Sequence, residues 1–278
     1  MKTVELVLRL PDRYHEFLIA ELSDLDFESF TEEDGQIRAY VPANRWSAAS
    51  REEIERWFRA HGLPDDAFEE RMMRDENWNA RWEATIRPHA VGRFLVKPTW
   101  AEVPPEHADK LLLEIDPKMS FGTGYHESTR LVLRFLPGLV RGGEQVLDAG
   151  TGTGVLALAA LKLGAAAAIG FDIDPWARAN AAENALLNGA AGQFEVREGA
   201  LDVVPEVGFD LAFANINRNA LEAMLPGLAA KLAPGGRLVL AGLLRTDRDT
   251  MTAAVRDAGL TLYDEATENE WWSVVATK

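Results

Sequence analysis

The chain has 278 residues, 47% of them hydrophobic and 26% charged, the balance of a folded globular protein and not of a disordered or fibrous one. Its 29 basic and 44 acidic side chains give a formal charge of −15, and both the first hundred residues and the remainder are acidic. Such a surface repels a phosphate backbone and keeps the protein soluble, which makes naked nucleic acid a poor partner. Cysteine is absent, so disulfides, thiolate metal sites and cysteine nucleophiles are excluded, and no metal is expected.

The length suits one domain of ordinary size plus a smaller one. The opening run is broken by Glu5 and Arg9, unlike a signal peptide, and no later stretch reaches membrane-spanning length. A monomeric cytoplasmic protein is the expectation.

In chain order, Val4, Leu6, Leu8 and Leu10 alternate as in a half-buried strand. Tyr14, Phe17, Leu18 and Leu22 then recur at helical spacing, and FESFTEEDGQIRAYVP reads as two strands about an Asp34-Gly35 turn. Asn44 is the expected cap of a second helix carrying Trp46, Ile54, Trp57 and Phe58, and Phe68 to Met73 supplies a last strand. That order, β-α-β-β-α-β, predicts a ferredoxin-like domain over residues 1–75. Residues 76–100 read as a structured linker, with Trp78 and Trp82 on one face of a short helix, packed on a neighbouring domain.

From residue 101 to 278 strands and helices alternate as in a parallel sheet. Strands are expected at Gln145–Ala149, Ala167–Phe171, Phe194–Arg197, Phe209–Ala214 and Arg237–Ala241, and helices at Val155–Leu163, Pro175–Leu187, Asn219–Leu232 and Asp247–Ala258. Two final strands, Leu260–Tyr263 and Trp271–Ala276, leave no room for a helix between them and predict an antiparallel hairpin at the far side of the sheet. This ending separates a methyltransferase arrangement from a plain dinucleotide fold.

The strongest local signal is VLDAGTGTGVLALAALKLG, a strand ending at Asp148 followed by Gly150, Gly152 and Gly154 opening a helix. Glycines there allow a tight turn and a close ligand, and the helix start offers unpaired amides. A second strand carries Asp172 at its tip, where a carboxylate accepts from both hydroxyls of a ribose. Together these point to an adenosine-containing cofactor. NAD sites favour G-x-G-x-x-G, whereas this loop is G-x-G-x-G after an acid, which suits a sulfonium and an amino group better than a pyrophosphate. Upstream, the run Phe121 to Gly124 before a helix near Glu127 reads as a lid; His126 has either a structural role or a place beside the cofactor. At the end of the fourth strand Asn215 either caps the next helix or faces the methyl group and the accepting nitrogen.

The segments IDPKMSFGTGYHEST, VLDAGTGTGVLALAALKLGA, GFDIDPWARANAAENALLNG, FANINRNAL, GGRLVLAGLL and EWWSVV resemble those of the PrmA family, class I S-adenosylmethionine-dependent methyltransferases acting on a large-subunit ribosomal protein, protein eleven. The resemblance implies a Rossmann-like, mostly parallel seven-stranded sheet with a terminal antiparallel hairpin. It implies that S-adenosylmethionine, leaving as S-adenosylhomocysteine, is contacted by Thr129, Gly150, Asp172 and Asn215, with Phe121 and His126 as lid neighbours; the glycine turn and strand tips add Asp148, Thr151, Gly152, Gly154 and Ile173 to the cofactor-binding candidates, and Asn215 and His126 are the catalytic candidates. It further implies that the N-terminal domain grips the basic ribosomal protein and that Lys side chains, with the α-amino group, receive methyl groups. Two positions depart from the pattern: Ala200 stands where many methyltransferases have an acid for the adenine amine, leaving that task to Asp202 or backbone, and Thr151 stands where the family often has Cys. A class I methyltransferase acting on another protein or a small molecule is the alternative, though the Asn-Pro-Pro-Tyr run of glutamine methyltransferases is replaced here by NINR. A noncatalytic ribosome-binding module and an NAD oxidoreductase are the other classes weighed.

Overall fold

The structure is a computed structural model that describes residues 3–33, 35–64, 67–73, 85–118 and 120–278. Two compact units divide the chain, Met1–Arg81 and Trp82–Lys278.

In the first unit β1 (Thr3–Arg9), α1 (His15–Asp24), β2 (Ser29–Glu33), β3 (Gln36–Pro42), α2 (Ala48–Ala60) and β4 (Phe68–Met73) follow one another, and the antiparallel sheet has the order β2-β3-β1-β4. This is the expected ferredoxin-like sandwich. Val4, Leu6 and Leu8 point to one side of β1 and pack with Leu18, Leu22, Ile54 and Phe58 of the two helices, as a period of two against a period near 3.6 requires. One cap differs from expectation. Ser47, not Asn44, caps α2, its hydroxyl accepting from the Ser50 amide at 3.2 Å, because residues 42–46 close a turn in which the Arg45 and Trp46 amides donate to the Pro42 carbonyl. Of the expected hairpin turn, Asp34 lies outside the described residues, as do Trp78 and Trp82 of the expected linker helix.

The second unit includes β5 (His89–Val91) and β6 (Phe94–Lys97), which with β7 (Leu111–Glu114) form a three-stranded sheet; residues 89–91 and 94–97 of the expected linker are thus strand. Then come α3 (Glu127–Leu139), β8 (Gln145–Ala149), α4 (Val155–Lys162), β9 (Ala167–Asp172), α5 (Pro175–Leu187), β10 (Phe194–Glu198), β11 (Phe209–Asn215), α6 (Arg218–Lys231), β12 (Leu232–Leu244), α7 (Arg248–Asp257), β13 (Thr261–Glu268) and β14 (Trp271–Thr277). The seven-stranded sheet has the order β10-β9-β8-β11-β12-β14-β13, parallel from β10 to β12, with β14 and β13 antiparallel at the end.

Alternate residues of each central strand feed two cores. Val146, Leu211, Phe213, Val239 and Val275 pack under α3, α4 and α5, while Leu147, Ala212, Leu238, Leu240 and Val274 pack under α6 and α7. Chain order runs outward from β8 through β9 to β10, then resumes on the other side at β11. The carboxyl ends of β8 and β11 therefore flank the point where strand order reverses, where an open α/β sheet leaves a crevice for a ligand.

Candidate active site

A cleft of about 490 Å³ lies at that switch point, with walls that include Ser120, Phe121, Gly150, Gly152, Asp172, Ile173, Ala200, Asn215 and Ile216. One wall is the glycine turn. The Gly150 and Thr151 amides donate to the Phe171 carbonyl at 2.9 and 3.1 Å, and the Gly152 amide donates to Asp172 Oδ2 at 3.0 Å. Asp172 Oδ1 accepts from the Asp174 amide at 3.0 Å, so both carboxylate oxygens are fixed and each keeps a lone pair. Gly152 has φ 55°, and a Cβ there would overlap the Phe121 carbonyl oxygen; only glycine permits both the left-handed turn and the close approach of the lid.

Asp148 is placed differently from the expectation. It is 1% exposed and outside the cleft lining, with Oδ2 accepting from the Thr151 hydroxyl at 2.7 Å and the Ala157 amide at 3.3 Å. Asp148 lies on the same side of β8 as Val146, the α4 side, and Ala157 sits in the first turn of α4, whose N-cap Gly154 has no side chain to offer. The buried carboxylate therefore caps the helix and braces the turn. Burial pushes its pKa up to about 7, against the lowering effect of the Thr151 and Ala157 hydrogen bonds.

The opposite wall is the end of β11. Asn215 Nδ2 donates to Thr129 Oγ1 at 3.2 Å, while its buried Oδ1 has no hydrogen-bond partner among the described residues. It does not cap α6. Asn217 does, its side chain accepting from the Ala220 amide at 3.0 Å. His126 is the N-cap of α3: Nδ1 accepts from the Ser128 amide at 3.2 Å, which leaves the neutral ring's proton on Nε2. The His126 ring stands edge-on to Phe121, at 5.3 Å, and to Trp271, at 4.4 Å between centroids. The start of α3 is further tied to the terminal hairpin, where Glu268 accepts from Arg130 Nε at 2.9 Å and Arg134 Nη1 at 2.7 Å.

The family model described as ribosomal protein L11 methyltransferase (PrmA) matches residues 13–278. The chain belongs to this family. A relative from Chlorobaculum parvum named ribosomal protein L11 methyltransferase is 37% identical, over 98% of this chain and 95% of its own length. One of the same name from Geobacter sulfurreducens is 40% identical over 86% and 80%. Among solved structures, a ribosomal protein L11 methylase from Lactobacillus delbrueckii subsp. bulgaricus is similar with a TM-score of 0.64 and 26% identity, covering 68% of this chain and 97% of that one. The second unit thus has the class I methyltransferase fold of the PrmA family.

Of the residues singled out in the sequence, the cleft brings together Phe121, Gly150, Gly152, Asp172, Ile173 and Asn215 on its walls. Thr129, Asp148, Thr151 and Gly154 lie behind the walls, all buried, and His126 stands beside Phe121. Ala200 lines the cleft, whereas Asp202 is exposed and outside the lining. Sequence reasoning missed Ile216, whose side chain fills the space a Cβ on Gly150 would need, and Trp271, which reaches His126 across 145 positions of sequence. The EWWSVV run carried the only signal for Trp271. Among the described residues, no group of three or more His, Asp or Glu is placed to hold a metal ion, and no helix is long and apolar enough to cross a membrane.

Proposed function

We propose that the chain methylates amines of a basic large-subunit ribosomal protein, the L11 of its relatives' names, with S-adenosylmethionine as donor. Lysine side chains are the acceptors, with the α-amino group as a further one. The observation that carries this is the pairing of Asp172 and Asn215 on opposite walls of one cleft at the switch point.

The residues fit the donor. Asp172 is held by two backbone amides with lone pairs left for a ribose diol, and Ile173, 79% exposed on the cleft wall, offers an apolar flank to a purine. Asp148, buried behind the turn with its pKa pushed up to about 7, adds negative charge for a cationic ligand once ionised. When bound, the donor supplies a methyl group on a positively charged sulfur, which an amine lone pair takes by in-line displacement.

The protein's part is orientation. Asn215 Oδ1 lacks a donor, and an amine N–H satisfies it; the amide itself is fixed by Thr129. Phe121, His126 and Trp271 form an aromatic group that suits the aliphatic stem of lysine. His126 positions and does not take the proton, because Nδ1 is occupied by the Ser128 amide and Nε2 already carries hydrogen. Solvent receives the proton from the ammonium before attack, in a site whose desolvation lowers the amine's pKa.

The first unit is proposed to grip the protein substrate. Supporting this, the similarity to the relatives runs through that unit and is not confined to the methyltransferase fold. A charge of −15 complements a basic substrate, disfavours self-association and nucleic acid, and suits a monomeric enzyme of the cytoplasm. Incubation with labelled donor and ribosomal proteins, followed by mass spectrometry, tests the reading. Label on lysines of one basic large-subunit protein is expected; label confined to RNA or a small molecule overturns it.

A further inference from the structure

Thr153 was given no role above, yet all three of its polar groups are spent on other segments. It is fully buried. Its amide donates to the Phe121 carbonyl at 2.9 Å and its hydroxyl to the Gly122 carbonyl at 2.6 Å, so the glycine turn grips two successive lid residues. Its own carbonyl accepts from Asn184 Nδ2 at 2.9 Å. Asn184, also fully buried, in turn holds the segment that leads into the lid, with Oδ1 accepting from the Asp116 amide at 3.0 Å and Nδ2 reaching the Asp116 carbonyl at 3.4 Å.

Asn180 of α5 and Asn188 at its C-cap, four positions away on either side, extend the same ladder to the Asp116 carbonyl and to both backbone groups of Glu114. Helix α5 itself starts three residues after Asp172. The lid is therefore fastened at 116 and at 121–122 to one residue of the turn and one side chain of the helix that follows the ribose-binding acid. Gly122 has φ 107°, and a Cβ there would lie 2.6 Å from Thr153 Oγ1; the lid carbonyl and the hydroxyl meet only because the position is glycine.

We propose that Thr153, supported by Asn184, is a positioning residue that couples donor binding to the seating of the lid, so that filling the cleft and fixing Ser120 and Phe121 over it are one event. The proposal rests on the reading of the cleft as a donor site. Without the hydroxyl the buried Gly122 carbonyl loses its partner, and the turn holds the lid through the Thr153 amide and Phe121 carbonyl alone.

The test combines amide exchange over residues 120–126 with calorimetry, using S-adenosylhomocysteine as the ligand, and steady-state kinetics. In the wild type the ligand is expected to slow lid exchange. Thr153→Val is expected to lose that slowing and to weaken ligand binding and raise the donor KM roughly fivefold, with kcat changed less and the melting temperature little affected. Thr153→Ser, which keeps the hydroxyl, restores both. Should Thr153→Val not accumulate as folded protein, Thr153→Ala removes the same hydroxyl and is read in the same way. Wild-type lid protection and KM in the hydroxyl-free variants overturn the proposal while leaving the donor site intact. No calorimetric binding to the wild type overturns the donor site itself, and the coupling with it.

Discussion

The two walls of the cleft are built to different standards of completion. On the glycine-turn wall the Gly150, Thr151, Gly152 and Gly154 amides all have protein acceptors, and the Asp148 and Asp172 carboxylates each accept two bonds. On the β11 wall Asn215 donates to Thr129 and keeps a buried oxygen with no partner among the described residues. A buried acceptor left unpaired carries a desolvation penalty of about 1–3 kcal/mol, which a protein retains where a ligand's donor relieves it. On the proposed reading, one wall is a finished receptor, pre-organised for a nucleoside, and the other is tuned to a group that arrives with the reaction. Substitutions on the first should be read in affinity, and on the second in turnover.

The largest effect sharpens that contrast. Asn215→Ala removes the open acceptor without touching the glycine turn, so kcat should fall about a hundredfold, the scale of losing the alignment of a reacting nitrogen, with donor affinity changed little. Unchanged turnover at saturating donor would remove Asn215 from the mechanism. Next comes Asp172→Ala on the finished wall. It deletes the proposed ribose contact together with the bonds to the Gly152 and Asp174 amides, and donor binding by calorimetry should weaken about thirtyfold, at the charged hydrogen-bond scale of about 2 kcal/mol. A fall in kcat with the dissociation constant unmoved would break the division of labour between the walls.

Much of this was legible in the sequence, for reasons that differ by element. Strand β8 and helix α5 match their expected spans because each carries its own boundaries: an apolar run ending at the glycine turn in one case, the Asp174 cap with Pro175 at the first helical position in the other. Strand β12 extends beyond Arg237–Ala241 to Leu232–Leu244, since Leu232 pairs with Phe209 across a register irregularity ahead of Arg237, and Leu243 and Leu244 pair with β14. The cap of α2 was expected at Asn44 and lies at Ser47, three positions on, while of the two readings left open for Asn215 the cap falls to Asn217; only the path of the backbone decides between cap-forming side chains so close together. Asp148 was expected to face the cofactor; the period of two places it with Val146, on the α4 side, where it is buried behind the turn. Trp271 was out of reach, because its role depends on a contact between the first helix and the last strand of the unit.

The smallest effect concerns Asp148 and follows from its position behind the finished wall. Burial raises its pKa from 3.8 to about 7 in the folded protein, so between those limits the folded state holds a proton that the unfolded state has released. Stability from this group is fully present below pH 3.8 and is lost as pH rises through about 7, with a slope of at most about 1.4 kcal/mol per pH unit within the window. Ligand-free protein should therefore melt at progressively lower temperature from pH 5 to pH 7.5, relative to Asp148→Asn, whose amide oxygen still accepts from Thr151 and Ala157. A cationic donor in the cleft favours the ionised carboxylate, so donor affinity in the wild type should rise severalfold from pH 6 to pH 8, against a smaller change in Asp148→Asn. Parallel pH profiles for the two proteins would show that the acid braces the turn by hydrogen bonding alone, and that the charge of the finished wall resides in Asp172.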